Sequence, residues 1–198
     1  SLRIGAGHLM RCLSLAAALS KRGASCHFVS RFTGGMSALI ALQGHRLIQL
    51  QTDLPAASHR MGFATAGNAV PPHADWLECD WLQDAQQTKT VLDKLKLDWL
   101  VVDHYALDAQ WELYVQSCAG HLMVIDDLAD RSHDCDLLLD FNEYPNSSTR
   151  YVDWINEHAE CLLGPRYALL REEFAGVRKS QQPFSERARL FIGFGGAD

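Results

Sequence analysis

Short apolar runs alternate along the chain with longer segments in which apolar residues recur every three or four positions. The longer pattern is typical of helices that bury one face, and the short runs are typical of buried strands. Because turn residues separate the segments at short intervals, the sequence predicts an α/β fold, a Rossmann-like parallel sheet with flanking helices. The predicted strands are residues 26–30, 47–50, 97–103, 121–125, 135–139 and 159–163, and the predicted helices include 36–42, 76–96, 108–117 and 151–158.

The most apolar predicted strand is 97–103, whose nearly continuous run is typical of a central strand buried on both faces. Asp108 is expected to cap the helix after it, and Gly120 to end that helix. Residues 52–75 are the least regular segment, and a loop of this length is often functional or mobile. Its two histidines, His59 and His73, are expected on the surface.

A first helix is predicted directly after the pair Gly5 and Gly7, and Gly23 ends it. Two glycines allow a tight turn and a close approach of the backbone to a ligand. His8 stands at the start of this helix, where unpaired backbone N–H groups and the helix dipole face any bound group. The dipole favours the neutral imidazole, which can act as a general base. On these residues alone, a capping or loop role for His8 is the commoner one.

Polar residues follow three of the predicted strands. Ligands of open α/β sheets bind outside the carboxyl ends of the strands, so these residues and the first helix are expected to converge on one site. They are Asp103, His104 and Tyr105 after one strand, Asp126 and Asp127 after the next, and Asp140 and Asn142 after the third.

Several of these residues also have an ordinary structural role. Asp103 can cap the following segment or accept from backbone N–H groups, and His104 can be a half-buried structural histidine. Tyr105 suits a sugar, a base or a protein core. Further along, Arg171 can bind an anionic ligand, but an ion pair with a neighbouring glutamate is the default.

Composition narrows the classes of function. The 198 residues are 47% hydrophobic and 21% charged, and their net charge of −6 argues against non-specific nucleic-acid binding. The six cysteines include no Cys-x-x-Cys pair, which fits reduced thiols in a cytoplasmic protein. No apolar run reaches the roughly 18 residues of a membrane span. Asp126 and Asp127 point apart at a strand end and His133 has no cysteines at a zinc spacing, so no metal site is expected.

The last twenty residues have a pattern of their own. Residues 178–188 are polar, and 189–194 are an apolar run followed by Gly195 and Gly196. A strand that runs into a glycine turn calls for a further helix. We therefore expect a domain at 1–177, a linker at 178–188, and at 189–198 the start of a second, nucleotide-binding domain.

Six stretches, in order, resemble the nucleotide-sugar hydrolases of pseudaminic acid biosynthesis, which remove UDP from a UDP-linked diacetamido-trideoxyhexose. Each stretch is short, but six in register are fairly specific. They are IGAGHLMRC (4–12), VDHY (102–105), IDDL (125–128), HDCDLLL (133–139), GPRYALLREEF (164–174) and GGAD (195–198).

The resemblance implies the first half of a two-domain fold of the glycosyltransferase type called GT-B. It implies that His8 is the catalytic base and that the glycine turns contact the diphosphate, with the nucleotide held mainly by the second domain. The glycines concerned are Gly5, Gly7, Gly195 and Gly196. Further candidates for substrate binding are Arg11, Asp103, His104, Tyr105, Asn142 and Arg171.

The implied reaction uses water as co-substrate and no cofactor. His8 would take a proton from water as it attacks the anomeric carbon, with C–O cleavage and inversion, while backbone N–H groups stabilise the leaving UDP without a metal. The expected partner is a UDP-linked diacetamido sugar, with no nucleic acid and no membrane. The protein is expected to be a cytoplasmic monomer that serves flagellin glycosylation.

Two other functions stay open. The glycine–histidine turn is also similar to that of the cell-wall N-acetylglucosaminyl transferase, so a glycosyltransferase could use His8 to deprotonate an acceptor hydroxyl. Such an enzyme usually carries a basic or apolar membrane-docking patch, and the sequence has none that we recognise. The other alternative is a non-catalytic domain that binds nucleotide sugars.

Overall fold

The computed structural model describes residues 6–31, 37–52 and 71–177, with 175–177 described by their backbone alone. Helices and strands alternate along these ranges. The helices are α1 (Gly7–Ser20), α2 (Ser37–Leu42), α3 (Trp81–Leu92), α4 (Ala109–Val115) and α5 (Glu172–Val177). The strands are β1 (His27–Ser30), β2 (Arg46–Gln49), β3 (Leu97–Val102), β4 (Ala119–Ile125), β5 (Leu137–Asp140) and β6 (Glu160–Leu163). Short 3₁₀ turns lie at Ala74–Leu77, Gln116–Cys118, Ser147–Thr149 and Pro165–Tyr167.

The strands form two parallel sheets. β1 pairs with β2, and β3, β4, β5 and β6 follow one another in a four-stranded sheet. The predicted α/β class with parallel strands and flanking helices is confirmed, and each predicted strand begins and ends within two residues of its expected bounds. The two-domain arrangement stays a prediction, since residues 178–198 lie outside the described ranges. No helix within these ranges is long and apolar enough to cross a membrane.

Apolar side chains alternate between the two faces of the four-stranded sheet, and each face has its own cluster. On one face Val124 packs in a large cluster with Trp111 of α4. On the other face Ile125 and Leu139 pack in a smaller cluster with Leu15 of α1. Burial of one such side chain stabilises a fold by about 1.5–3 kcal/mol. These contacts hold α1 against the sheet.

β3 does not have the position that its composition predicts. In the described part of the chain it lies at one end of the four-stranded sheet, and Asp98 and Trp99 are exposed. The prediction of a strand buried on both faces is therefore wrong. Trp99 instead stacks on His121 of β4, with ring centroids 4.8 Å apart. The apolar content of a strand indicates how much of the strand is buried. The position of the strand in the sheet depends instead on pairing with distant segments.

The helix predicted at 151–158 is also absent, and turns occupy these residues. The carbonyl of Trp154 accepts from the backbone N–H of His133 at 2.7 Å, so it is unavailable for a helical bond. Asn156 donates from its side chain to Asp134 at 2.6 Å and accepts from the backbone N–H of His158 at 3.1 Å. Asparagine competes in this way with the backbone bonds that a helix needs.

The helix ends follow the sequence signals in most places. Gly23 and Gly44 end α1 and α2 with positive φ angles of 93° and 79°. Asp108 caps α4, as predicted, by accepting from the first backbone N–H groups of that helix. Gly120 was expected to end α4, but it lies in β4, where a Cβ atom would come within 3.0 Å of the carbonyl oxygen of Asp98. Close approach of β3 therefore explains this glycine.

A buried carboxylate that sequence reasoning did not single out joins three elements. Asp84 of α3 accepts from Arg31 at the end of β1 (2.7 Å) and from the indole N–H of Trp111 in α4 (2.9 Å). The side chains of Asp84 and Arg31 are 7% and 6% exposed. The two-stranded sheet is thus tied to α3 and α4 by a buried ion pair.

We expect Asp84→Ala to lower the free energy of unfolding by about 3–5 kcal/mol, because it leaves the Arg31 charge buried without its partner. Urea unfolding followed by circular dichroism measures this. The matched control is Asp93→Ala at the other end of the same helix, where the carboxylate is exposed, and its midpoint should stay close to that of the wild type. Equal midpoints for the two variants would contradict the role assigned to Asp84.

Candidate active site

The predicted convergence at the carboxyl edge of the sheet is present. β3, β4 and β5 run parallel and are followed or ended there by Asp103, Asp127 and Asp140. The first turns of α1 lie at the same edge, because Arg11 contacts both Asp103 and Asp127. A helix start and two strand ends therefore share one site.

His8 is held by the carboxylate of Asp103. Its Nδ1 lies 2.5 Å from Oδ1 of Asp103, and the two side chains are 12% and 4% exposed. Arg11 donates to the same carboxylate, from Nη2 to Oδ1 (2.5 Å) and from Nε to Oδ2 (2.7 Å). The imidazole of His8 and the guanidinium of Arg11 both donate an N–H to Oδ1 of Asp103. Arg11 Nη2 and His8 Nδ1, which lie 3.1 Å apart, are therefore two neighbouring donors and do not hydrogen-bond to each other. This assignment leaves Nε2 of His8 to take a proton.

The surroundings keep Asp103 charged. Burial alone would raise the pKa of Asp103, but hydrogen bonds from Arg11 and His8 outweigh burial and bring the pKa below its ordinary value. The Cys12 thiol lies 3.3 Å from Oδ2, and burial first, then the negative charge of Asp103, raise the pKa of this thiol. A neutral thiol, a guanidinium and an imidazole thus surround one carboxylate, which resembles the aspartate–histidine pairs that orient catalytic histidines.

Tyr105 stands beside the histidine. Its ring meets that of His8 edge-on, with centroids 4.6 Å apart and an interplanar angle of 85°. Burial, and after it the negative charge of Asp127, raises the pKa of Tyr105 to about 12. The phenol is therefore neutral at pH 7, and its ring lies directly against that of His8.

The start of α1 is open to an anion. Ala6, the residue before the helix, provides no side-chain cap, and the first turn carries no acidic residue. The first intrahelical bond among the described residues runs from the N–H of Met10 to the carbonyl of Ala6 (3.0 Å), so within residues 6–31, 37–52 and 71–177 the N–H groups of Gly7, His8 and Leu9 have no partner. Gly7 is part of the helix, and a Cβ atom added there would meet no atom within 4 Å. The glycine leaves open space at the helix start, and its own backbone makes no left-handed turn.

Three other sequence candidates make contacts within the protein. His104 is partly buried and accepts at Nδ1 from the backbone N–H of Ala106 (3.1 Å), and loss of solvent around the ring lowers its pKa to about 3. This is the structural role that the sequence left open. Asn142 donates its backbone N–H to Asp140 (3.0 Å). Arg171 pairs with Glu173 (2.8 Å) at the surface, as its default role predicts. Substrate contacts by these side chains stay a prediction.

The remaining candidates, Gly5, Gly195 and Gly196, lie outside the described residues, and so does His59. His73 is described and lies partly exposed at the surface. Its side chain is 29% exposed, and its ring packs 4.6 Å from that of Trp76.

A buried polar network that sequence reasoning missed lies behind the site. Asp126 is fully buried, pairs with Arg131 at 2.7 Å, and accepts from the hydroxyl of Tyr151 at 3.1 Å. The same hydroxyl lies 3.0 Å from Asp140, and burial followed by these two carboxylates raises the pKa of Tyr151. Tyr151 therefore links the ends of β4 and β5. The spacing of an isolated tyrosine and arginine carries no signal that would have identified them.

Asp126 and Asp127 point apart, as the strand pattern predicts. Asp126 faces the buried network, while Asp127 lies 3.7 Å from Arg11. Across residues 6–31, 37–52 and 71–177 no group of three or more His, Cys, Asp or Glu side chains is arranged to hold a metal ion.

The lowered pKa of Asp103 has a defined effect on acid stability. A carboxylate whose pKa is lower in the folded state contributes stability above its unfolded pKa of about 3.9, and this stability is lost as pH falls through the folded pKa. We expect Asp103→Asn to be less stable than the wild type at pH 7 and to lose less stability between pH 5 and pH 3. Urea unfolding across this range measures both effects.

Asp93 provides the control for this measurement. Its pKa is also lowered, mainly by a hydrogen bond from Cys118, but the side chain is exposed and its interactions are screened by solvent. Asp93→Asn should follow the wild-type pH dependence. If the stability of Asp103→Asn changed with pH in parallel with that of the wild type, Asp103 would not be the charged carboxylate with a lowered pKa that we assign.

Comparison with known proteins bears on the family that the motifs resemble. No family model matches the chain. The chain is 30% identical over 103 residues to the UDP-2,4-diacetamido-2,4,6-trideoxy-beta-L-altropyranose hydrolase of Campylobacter jejuni. The match covers 52% of this chain and 36% of the hydrolase, so the chain spans little more than a third of that relative. The resemblance seen in the motifs is confirmed: over about half its length, the chain is similar to a UDP-sugar hydrolase.

Proposed function

We propose that this chain provides the catalytic base of a hydrolase that releases UDP from a UDP-linked diacetamido-trideoxyhexose, as in pseudaminic acid biosynthesis. The observation that carries the proposal is the contact between His8 and Asp103 at the open N-terminus of α1. A base and an anion-binding helix end lie within one turn of each other. The similarity to a UDP-sugar hydrolase supports the same substrate class.

In this mechanism the diphosphate of the substrate binds the free N–H groups at the start of α1. His8 takes a proton through Nε2 from a water molecule, and the oxygen of that water attacks the anomeric carbon. The C–O bond to the diphosphate breaks, and UDP leaves with the bonding electron pair. Since the water attacks opposite the leaving group, the configuration inverts. Asp103 stabilises the imidazolium that forms and keeps the ring oriented.

The leaving group requires no protonation in this proposal. Its developing charge is stabilised by backbone N–H groups and the helix dipole, which need no reorganisation during the reaction. Arg11 keeps its position through Asp103 and Asp127, so its charge also lies at this edge of the sheet. We further propose that a second domain beginning near residue 189 holds the nucleotide.

We expect His8→Ala to lower kcat by about 100-fold to 10,000-fold, the usual contribution of a general base. Asp103→Asn should lower kcat by up to the same factor, because it removes the group that orients the imidazole and stabilises its charged form. UDP release by the full-length gene product measures both, and titration with UDP should give nearly unchanged affinity. His121→Ala is the control, since that exposed histidine stacks on Trp99 at the far end of the strands.

Unchanged turnover in His8→Ala would refute its role as the base. If the wild type instead releases UDP only when an alcohol acceptor is added, the enzyme is a glycosyltransferase that uses the same base. Tight binding of the nucleotide sugar without any release would indicate a binding domain.

Chelation tests the metal-free mechanism. Because the helix end stabilises the diphosphate in this proposal, UDP release should be the same with and without EDTA. Coloured or fluorescent detection of free UDP in chelated and untreated enzyme measures this. Loss of release upon chelation, with recovery when Mg²⁺ is restored, would contradict the proposed stabilisation.

A further inference from the structure

Three aromatic rings form a continuous group beside His8, which we call the aromatic wall: His73, Trp76 and Tyr105. The ring centroids of His73 and Trp76 are 4.6 Å apart, and each lies within 6 Å of that of Tyr105, at 5.9 Å and 5.8 Å. Tyr105 in turn contacts His8 at 4.6 Å. The wall therefore extends from the proposed base along the carboxyl edge of the sheet.

The wall is held in place from behind. His73 and Trp76 belong to a 3₁₀ turn in which the N–H of Trp76 donates to the carbonyl of His73 at 2.9 Å. Leu77 of the same turn is 7% exposed and lies in the large apolar cluster, against which Trp76 also packs. His73 remains 29% exposed on the other side. A buried anchor with a partly open outer face is the arrangement of a binding surface.

The polar atoms of two of these rings are directed toward carboxylates. The hydroxyl of Tyr105 is close enough to Asp127 for the negative charge of that carboxylate to raise its pKa, and Nε2 of His73 lies 3.7 Å from Asp130. Both acids belong to the segment after β4. The faces of the three rings offer a ligand an apolar surface of ring carbon, which suits C–H-rich groups.

We propose that His73 and Trp76 determine the sugar specificity of this site, by contact with methyl and acetamido groups of the sugar on the side away from the diphosphate. This rests on the proposed function, since it takes His8 as the base at the anomeric carbon. Each methyl group placed on an apolar surface favours the matching substrate by about 10-fold. A fully hydroxylated sugar gains no such contact.

The kinetic test compares two substrates of the full-length gene product, the UDP-diacetamido-trideoxyhexose and UDP-glucose, whose sugar carries neither a methyl nor an acetamido group. His73→Ala should lower kcat/KM for the diacetamido sugar about 10-fold, mainly through KM, and change that for UDP-glucose far less. His73→Phe keeps a ring and should keep the preference. His121→Ala, which removes the histidine of the distant His–Trp pair, should leave both values unchanged. An equal loss for both sugars in His73→Ala would overturn the proposal.

A binding measurement makes the test independent of turnover. In the His8→Ala variant, the ring carbon–proton NMR signals of His73 should shift when the UDP-diacetamido sugar is added and not when UDP alone is added. His121 serves as the internal reference. Equal shifts with UDP alone, or none with the sugar nucleotide, would refute a sugar contact. If the wild type releases no UDP while the His73 signals shift, the proposed hydrolysis is refuted, and the proposed contact between the sugar and the aromatic wall is supported.

Discussion

The site depends on one buried carboxylate. Asp103 accepts from His8, Arg11 and the Cys12 thiol, all from the first turns of α1, and its side chain is 4% exposed. An unpaired charge in that position would be costly, so the three donors and the strand end stabilise one another. The same contacts set the direction of the imidazole. The carboxylate of Asp103 thus serves both the stability of the site and the proposed catalysis, and the end of β3 positions it.

Around this carboxylate, the packing of the two sheet faces decides which atoms remain open. α1 is held by the smaller apolar cluster, so its N-terminus lies at the carboxyl edge, where its first N–H groups have no partner in the described part of the chain. Behind the strands, Asp126, Arg131 and Tyr151 satisfy one another and hold the ends of β4 and β5. These buried polar groups therefore support the site, and the N–H groups of the helix start are left to bind a ligand. Such an arrangement suits an anionic leaving group, because the donors are oriented before the substrate arrives.

The two aspartates at the end of β4 have different partners and different roles. Asp126 faces the buried network, and Asp127 faces Arg11 and Tyr105. Their divergence follows from the alternation of side chains along a strand. The backbone carbonyl of Asp127 also accepts from Tyr144 (3.0 Å) and Arg150 (2.9 Å), which joins the loop after β5 to the site. The aromatic wall is linked to the same segment through Asp130, so β4 supports both the base and the surface beside it.

The sequence alone determined the local elements and their order. Apolar periodicity located six strands and most helices, the caps and glycine stops followed from backbone chemistry, and the parallel order placed three strand ends at one edge. It also made His8 a candidate for the catalytic base, because a histidine after a glycine pair at a helix start is a local feature.

Tertiary structure decided what each polar residue does. Asp103 faces α1 and bonds Arg11 from 92 positions away along the chain, whereas His104 next to it accepts from the backbone N–H of Ala106 in its own loop. The place of β3 at one end of the sheet that the described residues form, the turns at 151–158, and the contact of His73 with Tyr105 arise in the same way. Periodicity records which side of an element is apolar, but hydrogen bonds and ring contacts depend on distances between segments that only packing brings together.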